Sequence, residues 1–276
     1  MKYTVQKIVV SSEGTPMKLL VLRPNAPSPA AGRPGVMWIH GGGYVTGMPG
    51  MVFMSRAKNL VKKYGAVVVS PGYRLAGRAP YPAALLDCHN ALVYLKEHAQ
   101  QLDVRSDQIM VGGESAGGGL ATALCMYEKD TGGVNIAFQM PLYPMLDNED
   151  TETSRDNHAP VWNTRRNHYG WARYLCGLRE QAVPAYAAAA RREDYGGLPP
   201  AYTFVSTAEP FYAETLAYID RLKQAGVEAS LDVYPGLFHA FDMLLPFLKV
   251  SKKAAAAFEK RFEYAARHCF AEQTGD

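Results

Sequence analysis

Gly112-Gly113-Glu114-Ser115-Ala116-Gly117 closes the apolar run Gln108-Ile109-Met110-Val111 and opens the small-residue run Gly118-Gly119-Leu120-Ala121-Thr122-Ala123-Leu124. The order reads as strand, tight turn, helix, with Gly113-x-Ser115-x-Gly117 at the bend. A serine on so sharp a turn projects its hydroxyl above the sheet, and the flanking glycines let neighbouring backbone come close without a Cβ clash. Ser115 is therefore the candidate nucleophile. An ordinary glycine-rich turn or a phosphate-cradling loop would look similar over so short a stretch. The chain has neither G-x-x-x-x-G-K-[ST] nor G-x-G-x-x-G, which argues against nucleotide binding.

A nucleophilic serine needs donors for the oxyanion it creates. His40-Gly41-Gly42-Gly43-Tyr44 follows the apolar run Gly35-Val36-Met37-Trp38-Ile39. Consecutive glycines leave N–H groups bare and free to point into a site. Such a loop supplies half of the oxyanion hole in many esterases, here through Gly41 and Gly42, and the residue after the nucleophile, Ala116, supplies the other half. The start of the helix after Ser115 adds partial positive charge where the alkoxide develops. His40 is read as a brace for the loop by hydrogen bonding rather than as the base.

Outward from these motifs, strand-like and helical segments alternate. Strands are expected at 5–10, 17–23, 36–40, 66–71, 109–112, 138–143, 202–206 and 229–234, and helices at 54–64, 82–100, 116–129, 213–225 and 250–268. That alternation predicts an α/β chain with a mostly parallel central sheet, helices on both faces and antiparallel early strands. Residues 25–34, rich in Pro, Ala and Gly, form a loop between strands. Residues 145–197 are too long for an ordinary connection and carry a helical pattern of their own at 162–175. This insertion reads as a small helical cap over the substrate, within a single domain spanning 1–276. Trp162, Tyr169, Trp171 and Tyr174 either line an acyl or alcohol pocket or pack the cap onto the body.

Composition sets outer bounds. Apolar residues make up 48% and charged residues 20% of 276 residues, ordinary for a globular protein with a sizeable core. Net charge is +3, and the basic pairs Lys252-Lys253, Arg165-Arg166 and Arg191-Arg192 are too short for a nucleic-acid or membrane patch. The four cysteines show no C-x-x-C spacing, and Cys88 and Cys125 sit in apolar helical patterns as buried free thiols. The seven histidines form no H-E-x-x-H pair, so no metal is expected. No apolar run approaches 18 residues and the N-terminal residues lack a signal-like pattern, which gives the cytoplasm as the expected location.

The motifs together resemble the hormone-sensitive-lipase-like branch of the α/β-hydrolases, which hydrolyse carboxylic esters. The matching residues are His40-Gly41-Gly42-Gly43, Tyr73-Arg74-Leu75-Ala76, Tyr81-Pro82-Ala83-Ala84, Gly113-Glu114-Ser115-Ala116-Gly117-Gly118, Gly197-Leu198-Pro199-Pro200-Ala201 and Phe238-His239. They cover most of the chain. Relatives carry an acidic residue before Tyr-Arg, where this chain has Gly72, and Pro-Glu-His after Leu-Ala, where it has Gly77-Arg78-Ala79. Those departures bear on that loop's internal hydrogen bonds, not on the catalytic centre.

The fold's chain order is Ser, then acid, then His. His239 fits the base: it follows the expected strand 229–234 and Pro235-Gly236 and precedes the last helix. His89 and His98 come before the nucleophile, His268 lies in the charged tail, and His158 and His168 fall in the insertion. The acid is expected in Thr207-Ala208-Glu209-Pro210-Phe211, where relatives place Asp and this chain has Glu209; Glu214, Asp232 and Asp242 are the alternatives. The acid's work is to hold the histidine tautomer and stabilise the imidazolium.

The resulting expectation is a serine carboxylesterase with the catalytic set Ser115, Glu209 and His239, an oxyanion hole of Gly41, Gly42 and Ala116, loop support from His40, and a pocket including Tyr44, Trp162 and Trp171. No cofactor is needed, because water completes the acyl transfer. The partner is a small-molecule ester, with no nucleic acid or membrane; the resemblance allows a homodimer through the edge strand and C-terminal helix. Relatives also carry a segment before the first strand that completes the cap. Here the first strand starts almost at Met1, which predicts a reduced cap, a more open pocket and small acyl groups. An amidase or formamidase with the same triad, a lipase at a lipid interface, and a silent ligand-binding homologue are the alternatives.

Overall fold

β1 (Tyr3–Ser12) and β2 (Thr15–Pro24) pair antiparallel in a continuous register from Tyr3↔Pro24 to Ser12↔Thr15. Glu13 and Gly14 join them, both at positive φ (49° and 71°), the two-residue turn whose twist matches paired strands. Leu19 and Val21 enter one buried cluster while Leu20 and Leu22 enter another. Alternate side chains thus reach opposite faces of the sheet from its second strand onward. The structure, a computed structural model of the chain, describes residues 1–179 and 181–273. Position 180 of the expected insertion and positions 274–276 of the expected domain lie outside the described residues.

β3 (Arg33–Ile39), β4 (Val67–Pro71), β5 (Val104–Glu114), β6 (Phe138–Leu142), β7 (Ala201–Ser206) and β8 (Ala229–Tyr234) complete an eight-stranded sheet ordered β1-β2-β4-β3-β5-β6-β7-β8. β2 runs antiparallel to β4, and every pairing from β4 across to β8 is parallel. The intervening helices are α1 (Ala57–Tyr64), α2 (Ala83–Glu97), α3 (Ala116–Thr131), α4 (Thr164–Leu175), α5 (Tyr212–Gln224), α6 (Phe241–Leu244) and α7 (Lys249–His268). Leu85 of α2, Leu120 of α3 and Leu222 of α5 pack on one face against Met37, Val69 and Val111. Leu60 of α1 and Phe258 and Phe262 of α7 pack on the other against Val36, Trp38 and Met110. Covered on both sides, the inner strands are apolar almost throughout, as parallel strands must be.

Several boundaries shift from the sequence reading by up to five residues, two of them for clear local reasons. β5 begins at Val104 rather than at 109; Arg105 and Asp107 pair with each other along the strand at 2.7 Å, and their charge masks its start. α1 begins at Ala57 rather than at 54; the Ser55 hydroxyl accepts the Ala57 N–H at 3.1 Å, and a short 3₁₀ turn, Pro49–Phe53, precedes it. Cys88, Cys125 and Cys269 are buried thiols and Cys176 is exposed.

Residues 145–197 hold α4, started by the Asn163 side chain accepting from Arg166 N–H. Its attachment to the body has two parts. Tyr174 stacks on Tyr44 with ring centroids 4.0 Å apart, flanked by Tyr81 and Trp171. Further along, Arg192 and Tyr186 both reach Asp130 of α3, and Arg192 holds that carboxyl down at about 2.

The parallel neighbours β3, β5, β6, β7 and β8 bring their carboxyl ends to one edge of the sheet, and Gly41, Ser115, Tyr143, Glu209 and His239 all lie in the connections leaving that edge. α7 covers the sheet on the same face as α1. Phe258 is fully buried, edge-on to Trp38 at 5.8 Å and tilted on Tyr202. Phe258→Ala should cost about 3–5 kcal/mol, read as a lower midpoint in urea unfolding; an unchanged midpoint would mean α7 does not hold this face together.

Candidate active site

Ser115 sits between β5 and α3 at φ 59°, ψ −123°, a conformation that L residues seldom adopt and that persists only when the surroundings impose it. The surroundings here are backbone hydrogen bonds. Ser115 N–H donates to Leu142 O at 3.0 Å, and Ser115 O accepts from Gly119 N–H (2.9 Å) and Met145 N–H (3.1 Å). The bend also presses against the end of β3. A Cβ on Gly117 would lie 2.2 Å from Ile39 O and 2.5 Å from His40 O, and one on Gly41 would lie 3.2 Å from Ser115 Cβ. Both glycines are there because two stretches of backbone meet.

The Ser115 hydroxyl lies 2.9 Å from His239 Nε2, and His239 Nδ1 lies 2.5 Å from Glu209 Oε2. A carboxylate can only accept, so Nδ1 carries the proton and Nε2 accepts from Ser115 O–H. Glu209 is fully buried and its other oxygen accepts Ser206 N–H at 2.8 Å. Ser206 also clips the loop before His239: its hydroxyl donates to Leu237 O and accepts from Leu237 N–H. Tyr143 and Phe211 meet the imidazole edge-on at 5.0 and 5.1 Å, which fixes the ring plane from two sides.

Opposite the imidazole, Val45 and Thr46 N–H both close on Gly42 O, and Gly42 takes φ +118°. Among the described residues, the N–H groups of Gly41, Gly42 and Ala116 have no acceptor among the turn and loop hydrogen bonds. His40 Nδ1 lies 2.8 Å from Gly41 O, and its ring stacks on Tyr73 at 4.2 Å. Burial lowers the His40 imidazole to about 4, against a smaller upward pull from the Gly41 carbonyl, so it is a neutral prop at ordinary pH. Tyr73 O–H donates to His40 O at 3.0 Å. In the neighbouring loop, Asp87 of α2 accepts from Arg74 N–H and from its guanidinium. This carboxylate anchors the stretch in which relatives use residues this chain lacks.

A cavity of about 210 Å³ opens on Ser115 and His239, lined by Gly41, Gly42, Met51, Met54, Glu114, Tyr143, Val161, Trp162, Ala240, Met243 and Leu244. Trp162 lines it as the sequence suggests, but Tyr44 and Trp171 do not. Both are buried in the aromatic stack that seats α4, where van der Waals packing fixes them away from the cavity. The alternative acids are all engaged elsewhere. Glu214 accepts Leu146 and Asp147 N–H, Asp232 accepts Tyr202 O–H, and Asp242 pairs with Arg56. His89 is paired with Glu128. Tyr143 and Phe211 escaped the sequence reading: Tyr143 directly follows β6, and Phe211 follows Glu209-Pro210.

Also missed is a buried group behind Ser115. Trp38 Nε1–H donates to Glu114 Oε2 at 2.8 Å, and Arg56 Nε–H donates to Asp242 Oδ2 at 2.8 Å. Burial above all, with a smaller push from Asp242, raises the Glu114 carboxyl to about 8 against the downward pulls of Trp38 and Arg56.

A family model for the alpha/beta hydrolase fold matches residues 36–243. The chain belongs to the hormone-sensitive-lipase-like family of the α/β-hydrolase superfamily. Esterase LipI of Mycobacterium tuberculosis is 32% identical over 211 residues, 75% of this chain and 65% of LipI. Among solved structures, a bacterial heroin esterase superposes with a TM-score of 0.89 at 31% identity, covering 96% of this chain and 84% of that one. Esterase LipW from Mycobacterium marinum gives 0.87 at 29% identity, covering 95% and 82%. Among the described residues no helix is long and apolar enough to cross a membrane.

Glu114 makes stability depend on pH. Its folded carboxyl holds a proton that the unfolded chain releases near 4.5, so its contribution is full below that value and is lost as pH rises through about 8. Glu114→Gln removes this loss. Relative to wild type, the variant should gain on the order of 4 kcal/mol in urea unfolding between pH 5 and pH 9; parallel profiles would show that Glu114 is not a buried neutral carboxyl.

Proposed function

We propose that this protein hydrolyses carboxylic esters of small acyl groups through an acyl-enzyme on Ser115. The observation that carries the reading is the unbroken chain from Ser115 Oγ to His239 Nε2 (2.9 Å) and from His239 Nδ1 to Glu209 Oε2 (2.5 Å), facing bare backbone N–H groups. Ser115 Oγ attacks the ester carbonyl carbon while its proton passes to His239 Nε2. The tetrahedral oxyanion lies against Gly41, Gly42 and Ala116 N–H, preorganised dipoles that need not turn during the reaction. Collapse expels the alcohol, which takes the proton from Nε2. Water then adds to the acyl carbonyl with His239 again as base, and a second collapse frees the acid and restores Ser115. Glu209 stabilises the imidazolium in both halves.

The preference for small acyl groups is supported by the 210 Å³ cavity and by Trp162, whose ring sits where a Gly43 Cβ would be, at 2.0 Å. Residues 145–197, which bring Val161 and Trp162 to the cavity, act as the cap. Two relatives named for ester chemistry, an arylesterase from Saccharolobus solfataricus and an ethyl acetate hydrolase from Pseudomonas putida, support the reaction class.

Ser115→Ala should abolish both turnover and labelling by a fluorophosphonate probe. Glu209→Gln should lower kcat by roughly 10³–10⁴ while circular dichroism and the unfolding midpoint stay near wild type; near-full activity in that variant would place the acid elsewhere. With p-nitrophenyl esters, kcat/KM should fall from acetate and butyrate to decanoate, and a preference for decanoate would overturn the small-acyl reading.

A further inference from the structure

The cavity beside Ser115 is unequal at its two sides. On one, Trp162 is wedged over Gly43 and tilted on Phe211 at 6.4 Å, preceded by Val161 at φ 72°, a strained value for a β-branched residue. On the other, Met54 and Leu244 line the cavity and yet are 65% and 53% exposed. Large apolar side chains that both line a cavity and stand in water mark a mouth where an apolar ligand would cover them. Met51 and Met243 continue this lining inward.

The chemistry says which part of an ester faces that mouth. The departing oxygen must collect a proton from His239 Nε2, so the alcohol lies on the imidazole side of the carbonyl. Ala240, at φ 58°, turns the chain directly after His239 into α6, which carries Met243 and Leu244. Met54 is held across from them because Arg56, two residues on, binds Asp242 through its side chain at 2.8 Å and through the Asp242 carbonyl at 2.7 Å. The two walls of the slot are thus tied by a buried ion pair with one member beside each.

We propose that Met54, Met243 and Leu244 form the leaving-group subsite, and that the substrates are small-acyl esters of bulky, apolar, aromatic alcohols whose far end stays in solvent. The inference rests on the ester-hydrolase reading above. Thioethers suit this role because they are unbranched, polarizable and make favourable contacts with aromatic ring edges. The one carboxyl lining the slot among the described residues is Glu114, hydrogen-bonded to Trp38, and no lysine or arginine lines it, so an anionic alcohol would find no countercharge there.

The test compares acetate esters of ethanol, phenol and 1-naphthol, and separately p-nitrophenyl acetate and butyrate, in wild type and in the exposed double variant Met54→Ser/Leu244→Ser. The kcat/KM ratio of naphthyl to ethyl acetate should fall about tenfold in the variant, with phenyl acetate between. The butyrate-to-acetate ratio at constant alcohol should hold within about twofold. An unchanged naphthyl-to-ethyl ratio overturns the subsite, and so does a changed butyrate-to-acetate ratio, which would move the slot to the acyl side. Fluorophosphonate titration of Ser115 keeps the two readings apart. Wild type that neither labels nor hydrolyses any ester removes the esterase reading itself, whereas full labelling with no alcohol discrimination removes only the subsite.

Discussion

A side chain at position 117 would have to occupy space held by the carbonyl oxygens of Ile39 and His40. That closeness is the constraint from which the site follows. It lets the end of β3 lie against the bend after β5, so Gly41 and Gly42 of the first loop and Ser115 of the second line one cavity. Gly41 makes the reciprocal approach, against Glu114 O and the Ser115 side chain. The strained serine backbone is then held from three directions by Leu142, Gly119 and Met145. Two of these, Leu142 and Met145, belong to β6 and the segment that follows it, so the geometry of Ser115 is a property of the sheet rather than of one turn.

Because the constraint is local and needs glycine, it was legible in the sequence. The same holds for chain order: one histidine and one acid stood in the right connections, and they are the pair that meets Ser115. Alternating strands and helices gave the layers. What the sequence hid is long-range. Arg56 and Asp242 lie 186 positions apart, and Trp38 and Glu114 lie 76 apart; none of the four has a spacing that announces its partner. Tyr44 and Trp171 misled for a related reason. An aromatic residue next to a motif packs a seam or lines a pocket with equal ease, and only the direction of the side chain decides. Tyr143 and Phe211 are the converse case, aromatic residues that look like core and hold the imidazole.

Two buried glutamates at this edge have opposite surroundings. Glu209 faces an imidazole and a backbone N–H, partners that suit an anion. Glu114 faces an indole N–H and has Asp242 nearby, and it leaves one oxygen without a hydrogen-bond partner. A lone charge there would be expensive, so the proton stays. The carboxyl at position 114 therefore keeps its proton well above the usual carboxylate range.

The two attachments of residues 145–197 differ in kind. Around Tyr44 and Tyr174 the seam is neutral rings, whereas Asp130 gathers a guanidinium and a phenol at the protein's surface. Ionic strength screens exposed charge and leaves stacked rings alone. Brine should therefore slacken the rear of this segment while the part bearing Trp162 keeps its seat, so the segment has one fastening that responds to salt and another that ignores it.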